Sequence, residues 1–254
     1  MKSCTKTKLL KLFIPLVCVA ALCLVSALIL PSFSSKGNDA EKANARIAGD
    51  NVFVTANTKK RIDKSDWKLT LINADHSLPE NYSITLTQLK NGQAVDERCY
   101  PDLQKMMDDC RKAGNNPLIC SSYRTQEKQR RLFERQIQKW TAKGYSESDA
   151  KAKAATVVAV PGTSEHQLGL ALDIVDADNQ SLDTLQENTP TQKWLMENSW
   201  KYGFILRYPN DKKEITKIIY EPWHYRYVGR ETAEEMFNEQ LTLEEFYGIK
   251  DFKR

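Results

Sequence analysis

The sequence predicts an α+β fold: one compact domain with a small, mainly antiparallel sheet flanked by helices. Three observations point there. Helical and strand patterns are interspersed without the regular alternation of a parallel α/β chain. Three strand candidates late in the chain, "FILRY", "EITKIIY" and "WHYRYVG", are separated by hairpin-length gaps. The patterned region, residues 65–254, is of single-domain size and contains no internal repeat.

Taken in order, "WKLTLIN" from Trp67 alternates as a strand does, and turn-formers follow it up to Pro79. Pro101 to Ala113 carries Leu103, Met106, Met107 and Cys110 at helical spacing and stops at Gly114. "PLICSS" reads as a short strand. Thr125 then caps a charged helix to about Ala142, with Leu132, Phe133, Ile137 and Trp140 on its buried side. Ser146 opens another helix, "SESDAKAKAATVVA". "LALDIV" is a strand, "TQKWLMENSWKYG" a helix stopped by Gly203, and the C-terminus is helical after the three late strands.

The first sixty-odd residues have a different character. Lys2, Lys6, Lys8 and Lys11 precede Leu12 to Leu30, nineteen residues without a charge, long enough to cross a bilayer as a helix. Basic residues on the N-terminal flank place that end inside and the rest of the chain outside. Residues 1–30 therefore read as a transmembrane signal-anchor. A cleaved signal peptide is the alternative, since Val25-Ser26-Ala27 resembles a small-residue cleavage site. Both readings export the body of the chain, as a single-pass membrane protein or a secreted one. Residues 31–64 are polar and aperiodic and read as a linker. The four lysines also account for the net charge of +4, because the rest of the chain balances at 33 basic and 33 acidic residues. Charge thus gives no reason to expect a nucleic-acid partner. Outside the apolar run lie Cys99, Cys110 and Cys120. A Cys110–Cys120 disulfide and three buried free thiols both remain open.

Chemistry concentrates in three segments. "GTSEHQLGLALDIV" holds His166, one of only three histidines, and Asp173 seven residues later. In a strand Asp173 shares a face with Ala171 and Val175, opposite Leu170, Leu172 and Ile174. A carboxylate among so many apolar neighbours needs a strong partner, and a metal ion shared with His166 across a Gly169 turn is one. Hydrogen bonds to backbone are the other. "YEPWHYRYVG" adds His224, with Glu221 three residues before it. His166, Asp173 and His224 would make three N/O ligands, leaving a place for water and Glu221 as its base. In an ideal strand Glu221 and His224 face opposite ways, so Pro222 must bend the chain. In "SSYRTQEKQ", Arg124 follows an apolar strand directly and can offer fixed donors to a carboxylate or an oxyanion. Trp223, Tyr202 and Tyr208 are candidates for pocket walls or for core. His76 lies outside every motif and reads as a loop residue.

Together, Ser-Tyr-Arg, then Ser-x-His-x-x-Gly-x-Ala-x-Asp (Ser164, His166, Gly169, Ala171, Asp173), then Glu-x-x-His (Glu221, His224) resemble the signature of VanY-type zinc D-alanyl-D-alanine carboxypeptidases. The resemblance spans roughly Trp67 to Gly229, with no departure at a motif position. It implies the compact hedgehog/DD-peptidase fold and hydrolysis of peptidoglycan stem peptides; a monomer is the expected state of the chain. The resemblance also implies Zn²⁺ held by His166, Asp173 and His224, Glu221 as base, and Arg124 holding the substrate or its oxyanion. Gln129 and Ser164 match positions that contact the peptide in relatives. L,D-carboxypeptidases, dipeptidases and endopeptidases share such a zinc site, and a non-catalytic wall-peptide-binding domain is the alternative from another class. Glu221 separates the last from the rest, because a pure binding module has no use for that carboxylate. A nucleophilic hydrolase finds little support: Ser164 is not in a Gly-x-Ser-x-Gly elbow, and Cys120 ends an apolar strand with no motif around it.

Overall fold

The structure is a computed structural model that describes Asp63 and residues 65–249. The chain divides after Asn57, and all described residues belong to the second unit, Thr58–Arg254. The expected anchor at 1–30, and the linker at 31–64 apart from Asp63, lie outside the described residues. Among the described residues no helix is long and apolar enough to cross a membrane.

A two-stranded hairpin, β1 (Leu86–Gln88) with β2 (Ala94–Asp96), leads into α1 (Tyr100–Lys112). The main sheet has four strands in the order β3 (Pro117–Ser121), β4 (Ala171–Asp176), β6 (His224–Tyr227) and β5 (Phe204–Leu206), every neighbour antiparallel. Between β3 and β4 run α2 (Gln126–Thr141) and α3 (Glu147–Ala155). Between β4 and β5 runs α4 (Pro190–Asn198), and after β5 comes the single turn α5 (Lys213–Thr216). Two helices, α6 (Arg230–Glu239) and α7 (Leu243–Phe246), follow the sheet. This is the expected α+β domain.

The two faces of β4 explain the layout. Leu170, just before the strand, and Leu172 and Ile174 on it join Leu103, Met106 and Met107 of α1, Leu195 of α4 and Tyr225 of β6 in one buried core. Ala171, Asp173 and Val175 turn to the other side and are also buried. On that side Asp173 faces a cleft lined by Leu132 and Lys139 of α2 and by Val157, Val158 and Ala159 after α3, and there the chemistry gathers. The sequence-derived caps hold: Thr125 accepts from the Lys128 amide and Ser146 from that of Asp149. Gly203, with φ of 83°, ends the helical segment after α4. Leu132, Ile137 and Trp140 of α2 are only half-buried, whereas Gln129 and Phe133 are buried.

Two strand expectations fail. Trp67–Leu69 is a turn of 3₁₀ helix started by the Asp66 side chain, which accepts from the Lys68 amide. The carbonyls of Lys68 and Thr70 accept from the Arg226 guanidinium, each at 2.9 Å, so a side chain takes the place of a neighbouring strand. "EITKIIY" forms α5 and then a left-handed residue, Lys217 at φ 63°, which releases Ile218 toward the cleft. No disulfide joins Cys110 and Cys120: Cys99, Cys110 and Cys120 are all free thiols. Cys110 is fully buried in α1, while Cys120 directs its sulfur to the Asp173 carbonyl.

Candidate metal centre

His166 sits in a 3₁₀ turn, Glu165–Leu168, that ends at Gly169 in the left-handed conformation (φ 71°). A Cβ at Gly169 would collide with Ile84 Cδ1, and the Gly169 carbonyl accepts from the Asp96 amide, so the turn admits only glycine. It delivers the chain straight into β4, where Asp173 pairs directly with His224 of β6 across the ladder. Cross-strand partners share a face, which puts two candidate ligands side by side. The bend required at Pro222 is present. The His224 amide donates to the Glu221 carbonyl at 3.1 Å, so Glu221 to His224 is a tight turn and the strand begins only at His224. The Glu221 carboxylate thereby swings back to 3.5 Å from His224 Nδ1.

The third segment is zipped to the first. Pairing between β3 and β4 shifts register between Ile119 and Ser121, a bulge that re-aims the chain leaving β3. The Arg124 amide then donates to the His166 carbonyl at 3.1 Å, and His166 Nδ1 lies 2.8 Å from the Ser122 carbonyl. A carbonyl can only accept, so Nδ1 carries the proton and Nε2 presents its lone pair. Nε2 lies 3.4 Å from Asp173 Oδ1, and the same oxygen is 3.3 Å from His224 Nδ1. One ligand atom from each of His166, Asp173 and His224 falls within 4.8 Å of the others.

Whether a metal fits can be judged from what the cluster leaves unpaired. His166 Nε2 and Asp173 Oδ1 are buried without a hydrogen-bond partner, in residues only 2% exposed. Native interiors rarely leave such atoms unmatched. Two imidazoles and a carboxylate converging on one point form the donor set of a three-ligand zinc site with one position left over. The residues present fit the ion.

Burial and neighbouring charges shift these groups in different directions. Burial, with Arg124 nearby, lowers the His166 pKa to about 4, so its imidazole is neutral and able to ligate. Burial would lower His224 as well, but Asp173, Glu165 and Glu221 around it outweigh this and raise it to about 10. Asp173 is held well below the carboxylate range: burial pushes it up, and His166 and Arg124 more than offset that. Burial raises the Glu221 pKa, moving it toward that of a useful base.

These groups line a cleft of about 270 Å³, walled by Trp223 and Tyr208 and edged by apolar side chains including Leu132, Val158 and Ile218. Tyr202 lies elsewhere, against Trp194, with its hydroxyl donating to Asp109. Arg124 enters the cleft with Nη2 on Asp173 Oδ2 at 2.6 Å, Nε on Ser121 Oγ and Nη1 on Gln129 Oε1. Those bonds leave further N–H groups of the fork for a ligand oxygen. Ser164 lines the cleft. Gln129 does not: it is fully buried behind Arg124, and its amide donates to the Ala159 carbonyl. His76 is exposed in its loop and bonded to Asn73.

The sequence reading missed a second buried polar cluster beside the first. Glu165, Arg207, Arg226 and Glu244 are each at most 1% exposed. Glu165 Oε1 accepts from Arg207 Nε and Arg226 Nη1, both at 2.8 Å. Arg207 also holds Glu244 through both terminal nitrogens. The signal was an arginine within each of "FILRY" and "WHYRYVG", patterns otherwise aromatic and apolar.

Residues 92–230 match the family model "VanY: D-alanyl-D-alanine carboxypeptidase". A D-alanyl-D-alanine carboxypeptidase of Enterococcus faecalis is 46% identical over 197 residues, 78% of this chain and 71% of that protein. Among solved structures, VanYB in complex with D-alanine-D-alanine is 46% identical with a TM-score of 0.68, covering 73% of this chain and all of that one. An alanine variant of the vancomycin resistance D,D-pentapeptidase VanY in complex with Zn(II) is 46% identical with a TM-score of 0.66, covering 72% of this chain and 99% of that one. The match spans β2 through the start of α6, and with it the three motif segments, so this chain belongs to the VanY D-alanyl-D-alanine carboxypeptidase family.

Proposed function

We propose that this chain is a zinc-dependent D,D-carboxypeptidase that removes the terminal D-alanine from peptidoglycan stem peptides. The observation that carries the reading is the trio His166, Asp173 and His224, converging with unpaired atoms beside the raised-pKa carboxylate of Glu221. Relatives described as D-alanyl-D-alanine carboxypeptidases, one seen with Zn(II) and another with D-alanine-D-alanine, support it.

Zinc bound there supplies Lewis-acid activation of water and of the scissile carbonyl. The protein does the rest. His166, fixed as the Nδ1–H tautomer by Ser122, would hold the ion through Nε2, and Asp173, whose Oδ2 accepts from Arg124, would hold it through Oδ1. Glu221 takes the proton of the attacking water and passes it to the departing amine of D-alanine. Arg124, held by Ser121, Gln129 and Asp173, directs its spare N–H groups at the charge developing on the substrate oxygen. Ser164 and the rings of Tyr208 and Trp223 bound the space for the terminal residues. We further propose that residues 1–30 anchor the chain with this domain outside the cell, as the four lysines and the nineteen-residue apolar run suggest.

The test is incubation of the purified protein with defined penta- and tetrapeptide stems, with and without chelator. Chelator-sensitive release of D-alanine from the pentapeptide is expected. Release from the tetrapeptide only would assign the chain to L,D-carboxypeptidases.

A further inference from the structure

His224 is the one candidate ligand whose ring is not fixed by a backbone carbonyl. Its Nδ1 faces Asp173 Oδ1 and Glu221 Oε2, at 3.3 and 3.5 Å. An imidazole that offers Nδ1 to a cation must carry its proton on Nε2. That Nε2 is buried with no hydrogen-bond partner. The carboxylate oxygen across from it, Glu165 Oε2, is 3.8 Å away and is likewise buried and unpartnered. An orphaned donor and an orphaned acceptor thus face each other in a dry interior, at the distance of an ion pair and one small adjustment from a hydrogen bond.

We propose that Glu165 is a positioning residue for the metal centre, its free oxygen taking the Nε2–H of His224 so that Nδ1 is the atom turned to the ion. This rests on the zinc reading above and extends it to a residue which that reading does not use. The rest of the buried cluster explains why Glu165 can do this. Its other oxygen is clamped by Arg207 and Arg226 at 2.8 Å each, which fixes the carboxylate plane and leaves only Oε2 to aim at the ring. Arg226 lies opposite Ala171 in the ladder, where a methyl group leaves the sheet face open to the guanidinium. Tyr208 packs on the His224 ring, with centroids 4.7 Å apart, and limits the ring's rotation. A carboxylate behind a ligating histidine fixes its tautomer and strengthens it as a donor.

Glu165→Gln tests the proposal, because an amide cannot accept from Nε2–H and both arginines at once. Glu244→Gln is the control: it perturbs Arg207 from the far side and leaves Glu165 and His224 in place. Zinc affinity of the full-length chain is measured by competition with a chromophoric chelator, alongside thermal melts of the metal-free proteins. Both variants are expected to melt earlier, but only Glu165→Gln should bind zinc about 10- to 100-fold more weakly. Unchanged zinc affinity in folded Glu165→Gln, or equal weakening in Glu244→Gln, would overturn the proposal and leave the zinc reading standing. An unmutated chain that binds no zinc overturns the zinc reading, and this proposal with it. If Glu165→Gln fails to fold, imidazole ¹⁵N–¹H spectra of the unmutated zinc-loaded protein decide. A proton on His224 Nε2 supports the proposal, and a proton on Nδ1 rejects it.

Discussion

Two buried polar clusters lie side by side in this domain, and they treat their atoms in opposite ways. In the arginine–glutamate cluster the guanidinia of Arg207 and Arg226 find acceptors in Glu165, Glu244 and backbone carbonyls. In the histidine–aspartate cluster, atoms equally deep in the protein have no partner. Burial alone therefore does not mark a functional site. Polar atoms kept unsatisfied at close quarters do, because that arrangement persists only where something else completes it. Glu165 belongs to both clusters, with one oxygen in each.

The contrast can be broken or sharpened by experiment. The largest expected effect is that of Glu221→Ala, which should lower kcat on a pentapeptide stem by about 10²- to 10⁴-fold while zinc stoichiometry stays at that of the unmutated protein. Equal turnover in the two would remove Glu221 as the base. Next is Arg207→Met, which leaves Glu244 with only the Asn73 amide and takes one of its two guanidinium donors from Glu165. Removing one partner of a buried ion pair costs about 3–5 kcal/mol, and denaturant melts of the metal-free chain should register it. A loss below about 1 kcal/mol would show that the arginine cluster behaves like a surface ion pair. The smallest effect lies at the edge of that cluster, in α7. Thr242 and Glu245 form a reciprocal cap there, and Thr242→Ala should cost about 1 kcal/mol in the same melts. Acid acts in the same direction. Partial burial raises the Glu245 pKa, but the Thr242 amide and Lys212 more than offset this, and the net shift is downward. Its share of stability is therefore in place above the ordinary carboxylate pKa of about 4.3 and is lost as pH falls through the lower folded value. A Glu245→Gln variant that loses as much stability between pH 7 and pH 3 as the unmutated chain would contradict this.

The candidate ligands could be read from the sequence because local rules constrain them. Histidine is scarce, Gly169 marks a turn, and an aspartate inside "LALDIV" breaks an apolar pattern that must be explained. Glu221 needed a bend that spacing suggested and the turn at Pro222 provides. Glu165 was in plain sight beside His166, yet a glutamate in a polar loop ordinarily faces water. Only the fold shows that residues 207, 226 and 244 converge on it. The misread strand at "WKLTLIN" has the same origin: its carbonyls are satisfied by Arg226, more than 150 positions away in the chain. Alternation of side chains records burial, but not which group will take the backbone's hydrogen bonds. Tyr202 shows the converse, an aromatic near the right sequence region that the helix–turn after α4 carries to the far side of the core.

Arg226 has one end on the backbone of Lys68 and Thr70, close to the start of the described domain. Through Glu165 it connects to Arg207, and Arg207 in turn to Glu244 in the last helix. In a nascent chain His166 and Asp173 emerge well before the residues that complete their surroundings. The half-built domain has neither His224 nor Arg207, Arg226 and Glu244, so the cluster and its brace are complete only once those residues are made. A chain released short of Glu244 would carry every candidate ligand and still lack the brace at its far end.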